Sequence, residues 1–119
     1  MFTACFVIPS WHYWKDPLKH TPYWELYYAT HIKKAGFDTD VVDVRSMKEK
    51  HKDLDLKKIV NKIPERNFYF YWIFKTGDAK EIYSIVNILR NKFPESIHAA
   101  GGTHVDMCQK ECIDIFDSI

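Results

Sequence analysis

The chain has 119 residues, 46% of them hydrophobic, and a formal net charge of +1 from 17 basic and 16 acidic side chains. That is the size of one domain with a real core, and so even a charge excludes the electrostatic footprint of a nucleic-acid binder. No apolar run approaches the roughly 20 residues that span a bilayer, and Met1-Phe2-Thr3-Ala4-Cys5 carries no basic leader, so no membrane partner is expected and a cytoplasmic location is.

Phe2 to Ile8 is a continuous apolar run and is expected as a buried first strand. Pro9-Ser10 ends it, and a loop of aromatic and basic residues runs to His20. Thr21-Pro22 has the form of a helix start, a capping hydroxyl followed by proline. Trp24, Tyr27, Tyr28, His31, Ile32 and Ala35 then recur at three- and four-residue steps, the pattern of a buried helical stripe. On that stripe His31 is expected as a hydrogen-bonded core residue. Gly36 stops the helix. Asp40 to Val44 reads as a second strand, and the polar stretch Arg45 to Lys57 is weakly patterned. Leu54, Leu56, Ile59, Val60 and Ile63 suggest a short helix before Pro64.

Phe68 to Phe74 is apolar on both faces and belongs in the middle of a sheet. Asp78 with Glu81 resembles a capping box, ahead of a helix that turns Ile82, Ile85, Val86 and Leu89 inward. Ile97 to Ala100 reads as strand four, Val105 to Ile113 as a helix, and Phe116 to Ile119 as the start of a fifth strand cut short by the end of the chain. Strands alternating with helical patterns predict an α/β domain with a parallel sheet. The expectation is a single flavodoxin-like (Rossmann-like) domain over 1–119, with about five strands, helices on both faces, and the character of an N-terminal piece of a longer protein.

Open α/β sheets bind ligands at the carboxyl ends of their strands. Gly101-Gly102, between strand four and the next helix, puts backbone without Cβ atoms at that edge. The usual phosphate-binding signatures are missing. After strand one, Pro9-Ser10-Trp11-His12-Tyr13 stands where a dinucleotide fingerprint or phosphate loop would need glycines. Strand three ends on Phe74-Lys75-Thr76, without the aspartate of a receiver domain. Three cysteines argue against a disulfide framework. Cys108 and Cys112 share a helix face, but spacing brings them no third and fourth metal ligand, so they read as half-buried helix residues and no metal site is assigned. No nucleophile–histidine or acid–base constellation can be read from spacing, and no catalytic residue is assigned. Trp11, Tyr13 and Trp14 form either an exposed apolar patch, hence an interface, or the floor of an apolar pocket.

Two segments resemble a known family. Thr21 to Phe37 followed by Val41-Val42-Asp43, with Pro22, Tyr27, Ala29, Ile32, Gly36 and Asp43 in matching order, resembles the first helix and second strand of the cobalamin-binding domain that precedes many radical S-adenosylmethionine enzymes. Phe93-Pro94-Glu95, Gly101-Gly102-Thr103-His104, Glu111 and Asp117 resemble that family's fourth strand, glycine turn and following helix. The resemblance implies a corrinoid at the carboxyl ends of the strands. Its binding set would be Ser10, Trp11 and His12 in the first loop, Pro22 at the helix start, Thr76 after strand three, and Gly101, Gly102, Thr103 and His104 in the glycine turn. It also implies a downstream catalytic domain, of methyltransferase or Fe-S oxidoreductase type, holding S-adenosylmethionine and an iron–sulfur cluster. That domain would be the chain's own C-terminal partner.

The departures are specific. Trp24 replaces a family glycine. His20 lacks the aspartate and glycine that would make it a cobalt ligand, since Leu18 and Tyr23 occupy those positions. A second expectation therefore stands beside the first: a domain of this ancestry that no longer binds cobalamin and serves as a protein-, peptide- or small-molecule-interaction module.

Overall fold

The computed structural model describes all residues from Met1 to Ile119. Four parallel strands, β1 (Thr3–Ile8), β2 (Asp38–Asp43), β3 (Phe68–Trp72) and β4 (Ile97–Gly101), form one sheet in the order β2-β1-β3-β4. The α/β class and the parallel sheet are as expected, and β3 is interior, as its two apolar faces require. The fifth strand is not formed: Phe116 to Ile119 makes a single bridge, Ser118 to Ala99, beside β4. Backbone bonds from Asp117 and Ser118 to the His98 carbonyl hold the segment to β4, and the Asp117 carboxylate accepts the His98 N–H and a bond from Arg90.

The helices are α1 (Tyr23–Lys34), α2 (Val44–Lys50), α3 (Leu56–Val60), α4 (Thr76–Lys92), α5 (Thr103–Met107) and α6 (Gln109–Ile115). One face of the sheet carries the main core. Cys5, Val7, Tyr69, Tyr71 and Ile73 pack there against Val44, Val60, Ile82, Ile85, Leu89, Val105 and Cys112 of α2 to α6. On the other face α1 lies over β1 and β2, and an open apolar groove of about 300 Å³ remains beside it. Tyr28 and Ile32 form one wall of the groove and Phe70, Trp72 and Ala99 its floor. No helix is long and apolar enough to cross a membrane.

Several local expectations are corrected. α1 buries Glu25 and Ala29, while Trp24, Tyr27 and His31 are exposed. Ala29 is the small residue that lets the helix approach the sheet, and bulky rings at 24 and 27 cannot sit there. His31 keeps a hydrogen bond, to the Tyr27 carbonyl at 2.9 Å, but on the surface. Thr21 does not cap α1, which starts after Pro22 without a side-chain cap. Asp78 and Glu81 form no capping box, because both carboxylates are engaged by the loop after β1. The polar stretch after β2 folds as α2, capped by Asp43 accepting the Arg45 N–H at 3.0 Å. The helix expected over 105–113 breaks at Cys108 into α5 and α6.

Candidate functional site

The strand order reverses direction between β1 and β3, the switch point where open α/β sheets place their ligands. The loop after β1 covers this edge and is held from below. Ser10 is buried, and its N–H and hydroxyl donate to the two oxygens of Glu81 at 2.7 and 2.6 Å. Lys48 donates to the same carboxylate at 2.8 Å. Burial alone would push the Glu81 carboxyl up, but these bonds from Lys48 and Ser10 outweigh it and hold it below its ordinary value. The next residue, Trp11, has φ +50°, a left-handed conformation unusual for a bulky residue. The Arg45 guanidinium lies 4.5 Å from the centre of its ring.

Arg45 is a clamp. Its guanidinium grips both oxygens of Asp43 at 2.9 and 2.8 Å and donates to the carbonyls of Pro17 and His20 at 3.0 and 2.6 Å. The fork geometry lets one buried side chain satisfy four acceptors. The aromatic loop is thereby fixed at both ends.

Between that loop and α1 lies a pocket of about 270 Å³. Trp11, Trp14, Trp24, Trp72, Tyr13 and Tyr23 supply its aromatic faces. Trp24 and Trp72 have ring centres 6.0 Å apart, and Tyr28 lies 5.0 Å from Trp72. Glu25 lines the pocket and is 3% exposed, and burial pushes its carboxyl up. Asp78 lies close by, with one oxygen accepting the Tyr13 hydroxyl at 3.1 Å. Burial raises Asp78 to about 6. Its other oxygen and the Trp72 indole N–H are buried without a partner in the chain.

Carboxylates set the charge beside the aromatic pocket. Helix N-termini normally make it a site for anions. Here Glu25 and Asp78 occupy the first turns of α1 and α4 and offset those dipoles with carboxylates. The rings already accept cations from the chain itself. Lys75 Nζ lies 5.0 Å from the Tyr13 ring and 4.6 Å from the Trp14 ring, at cation–π range.

The sequence-predicted binding set is divided rather than gathered. Trp11 lines the aromatic pocket, and Ser10 anchors its loop. His12 is exposed and, together with Ser10, lines a separate cavity of about 490 Å³ whose charged walls include Lys15, Arg45 and Lys48. Pro22 precedes α1 and lines neither cavity. Gly101 lies under the Trp72 ring, which is 3.6 Å from where a Cβ would stand. Gly102 packs on the backbone of Ile73. Thr103 opens α5 and is exposed. His104 points into the α4–α5 interface, with Nδ1 3.1 Å from the Thr76 hydroxyl and Nε2 2.7 Å from the Tyr83 hydroxyl. Gly102 is thus filled by the chain's own backbone, whereas Gly101 lines the open apolar groove beside α1.

Glu25, Arg45 and Trp72 were not singled out from sequence, and Asp78 and Glu81 only as a capping box. One signal was available: acids in the first turns of two helices that start at the ligand edge. Comparison with known proteins finds no family model, no curated protein and no solved structure that matches this chain.

Proposed function

We propose that the chain is a binding module that captures an organic cation, on a small molecule or a peptide, in the aromatic pocket at the carboxyl edge of the sheet. The observation that carries this reading is the pairing of aromatic faces with buried Glu25 in one pocket at the switch point. A desolvated cation over tryptophan gains about 2 kcal/mol or more, and a buried carboxylate adds an opposite charge. Lys75 is the chain's own stand-in for such a ligand, and an incoming cation displaces its ammonium from the Tyr13 and Trp14 rings. The unpartnered buried indole N–H of Trp72, a residue that lines the pocket, supports a ligand acceptor or water at this place.

The corrinoid-module reading, with its downstream radical enzyme, keeps the support of the strand order and of a flavodoxin-like arrangement of helices. The Ile73 backbone against Gly102 and the first-turn acids weigh against a phosphate-bearing tail at the glycine turn.

Calorimetric titration of the purified chain with choline, with its neutral carbon isostere and with inorganic phosphate tests the proposal. Choline is expected to bind at least about 10-fold more tightly than the isostere, and phosphate not at all. Trp24→Ala and Glu25→Gln are each expected to weaken choline binding by about 10-fold. Equal affinity for the isostere, or retention of hydroxocobalamin after desalting, overturns the reading.

A further inference from the structure

The cysteine pair of the last helices has company that spacing alone did not disclose. α5 and α6 meet at Cys108, where the backbone leaves the helical region at φ −124° and ψ 44°. Around that corner His104, Cys108 and Glu111 converge from positions i, i+4 and i+7. One donor atom from each lies within 4.8 Å of the other two. His104 Nε2 and Glu111 Oε2 are 3.5 Å apart. Two ligands bound at the usual zinc–nitrogen and zinc–oxygen lengths of about 2.0–2.2 Å stand at about that separation in a tetrahedron.

A single hydroxyl already bridges two of these groups, His104 and Glu111. Tyr83 Oη, from α4, lies 2.7 Å from His104 Nε2, 2.6 Å from Glu111 Oε2 and 3.6 Å from Cys112 Sγ. The second ring nitrogen of His104 is held by Thr76 at 3.1 Å. That is the outer hydrogen bond which orients metal-binding histidines and fixes their tautomer. The imidazole itself is 3% exposed and rigidly placed, whereas Cys108 is half-buried and Glu111 is exposed. The site thus has one fixed ligand and two that can close by side-chain rotation.

We propose that His104, Cys108 and Glu111 bind a zinc ion across the α5–α6 corner, with solvent in the fourth position on the Glu111 side. The donor set of one imidazole, one thiolate and one carboxylate suits zinc rather than magnesium or calcium, which prefer oxygen alone. Binding releases the Cys108 thiol proton to solvent as the Zn–S bond forms. It also displaces the Tyr83 hydroxyl from His104. Cys112 is fully buried and stays a core residue beside Tyr83. The site is separate from the aromatic pocket, and neither proposal depends on the other.

The test uses the purified chain under a metal-free reductant. Cobalt(II) is titrated as the spectroscopic probe and displaced by zinc. The expected result is one equivalent of tetrahedral cobalt with a thiolate-to-cobalt charge-transfer band, lost on zinc addition. Cys108→Ser is expected to abolish the band, and Cys112→Ala to retain it. Glu111→Gln, on the surface, is expected to weaken zinc by about 10-fold or more. Thr76→Val is expected to weaken it by about 10-fold, the usual effect of removing an outer hydrogen bond. Circular dichroism of each variant establishes that it is folded. An octahedral cobalt spectrum, or zinc affinity unchanged in folded Cys108→Ser and Glu111→Gln, overturns the proposal.

Discussion

Replacing Gly102 by alanine is expected to destabilise the fold by about 4 kcal/mol, the largest effect of any single methyl group in this chain. Two costs coincide. The backbone at Gly102 has φ +111°, outside the conformations an L side chain adopts without strain. A Cβ there would also lie 2.6 Å from the Ile73 carbonyl oxygen, which is backbone and cannot rotate away. The close approach is needed by the sheet edge itself, because His104 N–H donates to that same carbonyl at 3.0 Å. Against a typical total of about 5–15 kcal/mol, the loss shifts the melting temperature by about 15 °C in a chain of this length. Two other glycines separate the costs. Gly36→Ala keeps a positive φ of +104° but meets nothing within 4 Å, so strain alone, about 1 kcal/mol, is expected. Gly101→Ala meets only ordinary contact with Trp72 and is expected to be near neutral. Thermal melts of the three variants check the order, and a Gly102→Ala melt close to wild type would refute the steric account.

Acid is expected to act on the core through His98. The ring is fully buried beside the Tyr69 and Tyr71 rings, with Nδ1 2.9 Å from the Tyr71 hydroxyl and Nε2 3.0 Å from that of Ser96. Burial, helped by the Arg90 charge, lowers its pKa to about 4 from 6.5. Between those values the unfolded chain binds the proton and the folded chain does not, so stability falls as pH drops through this window. The full loss is about 3 kcal/mol, reached below pH 4. Asp78 works the other way. Its pKa is raised by burial to about 6 from 3.8, so the folded chain takes up the proton first and gains stability as pH falls from 6 towards 4. The two nearly offset each other in the wild type. Asp78→Asn removes the compensation, and its denaturation midpoint is expected to fall steeply between pH 6.5 and 4. His98→Gln is expected to become more stable over the same interval. Parallel pH profiles for the two variants would refute this assignment.

The layers of this fold were legible because strand-like runs alternate with helical patterns, and burial of apolar surface sets the class. The groups that build the candidate sites were not, because their partners are distant in sequence. Ser10 and Glu81 are 71 positions apart. Arg45 reaches back 28 and 25 positions to Pro17 and His20. A charged residue reads as solvated unless its partner is known, so Glu25, Arg45 and Asp78 carried no mark of burial. The face of α1 was misjudged for a related reason. Periodicity favoured the large rings at 24, 27 and 31, while close packing on the sheet selected Ala29. The glycine turn was correctly located at the sheet edge, but its neighbours come from the end of β3 and the residue after it. Trp72 covers Gly101, and Ile73 leaves no room at Gly102.

All four tryptophans of the chain line the same pocket. Its intrinsic ultraviolet emission is therefore a local gauge: it reads the carboxyl edge of the sheet and is blind to the opposite end, where Arg66 pairs with Asp40 and Asn67 with Thr3. Emission and far-ultraviolet dichroism would trace one curve only if the molecule melts as a unit. Should the aromatic loop lift before the sheet comes apart, as loops of low local stability do, emission would change first and dichroism later. The gap between the two midpoints would then measure directly how firmly Arg45 and Glu81 hold that loop shut.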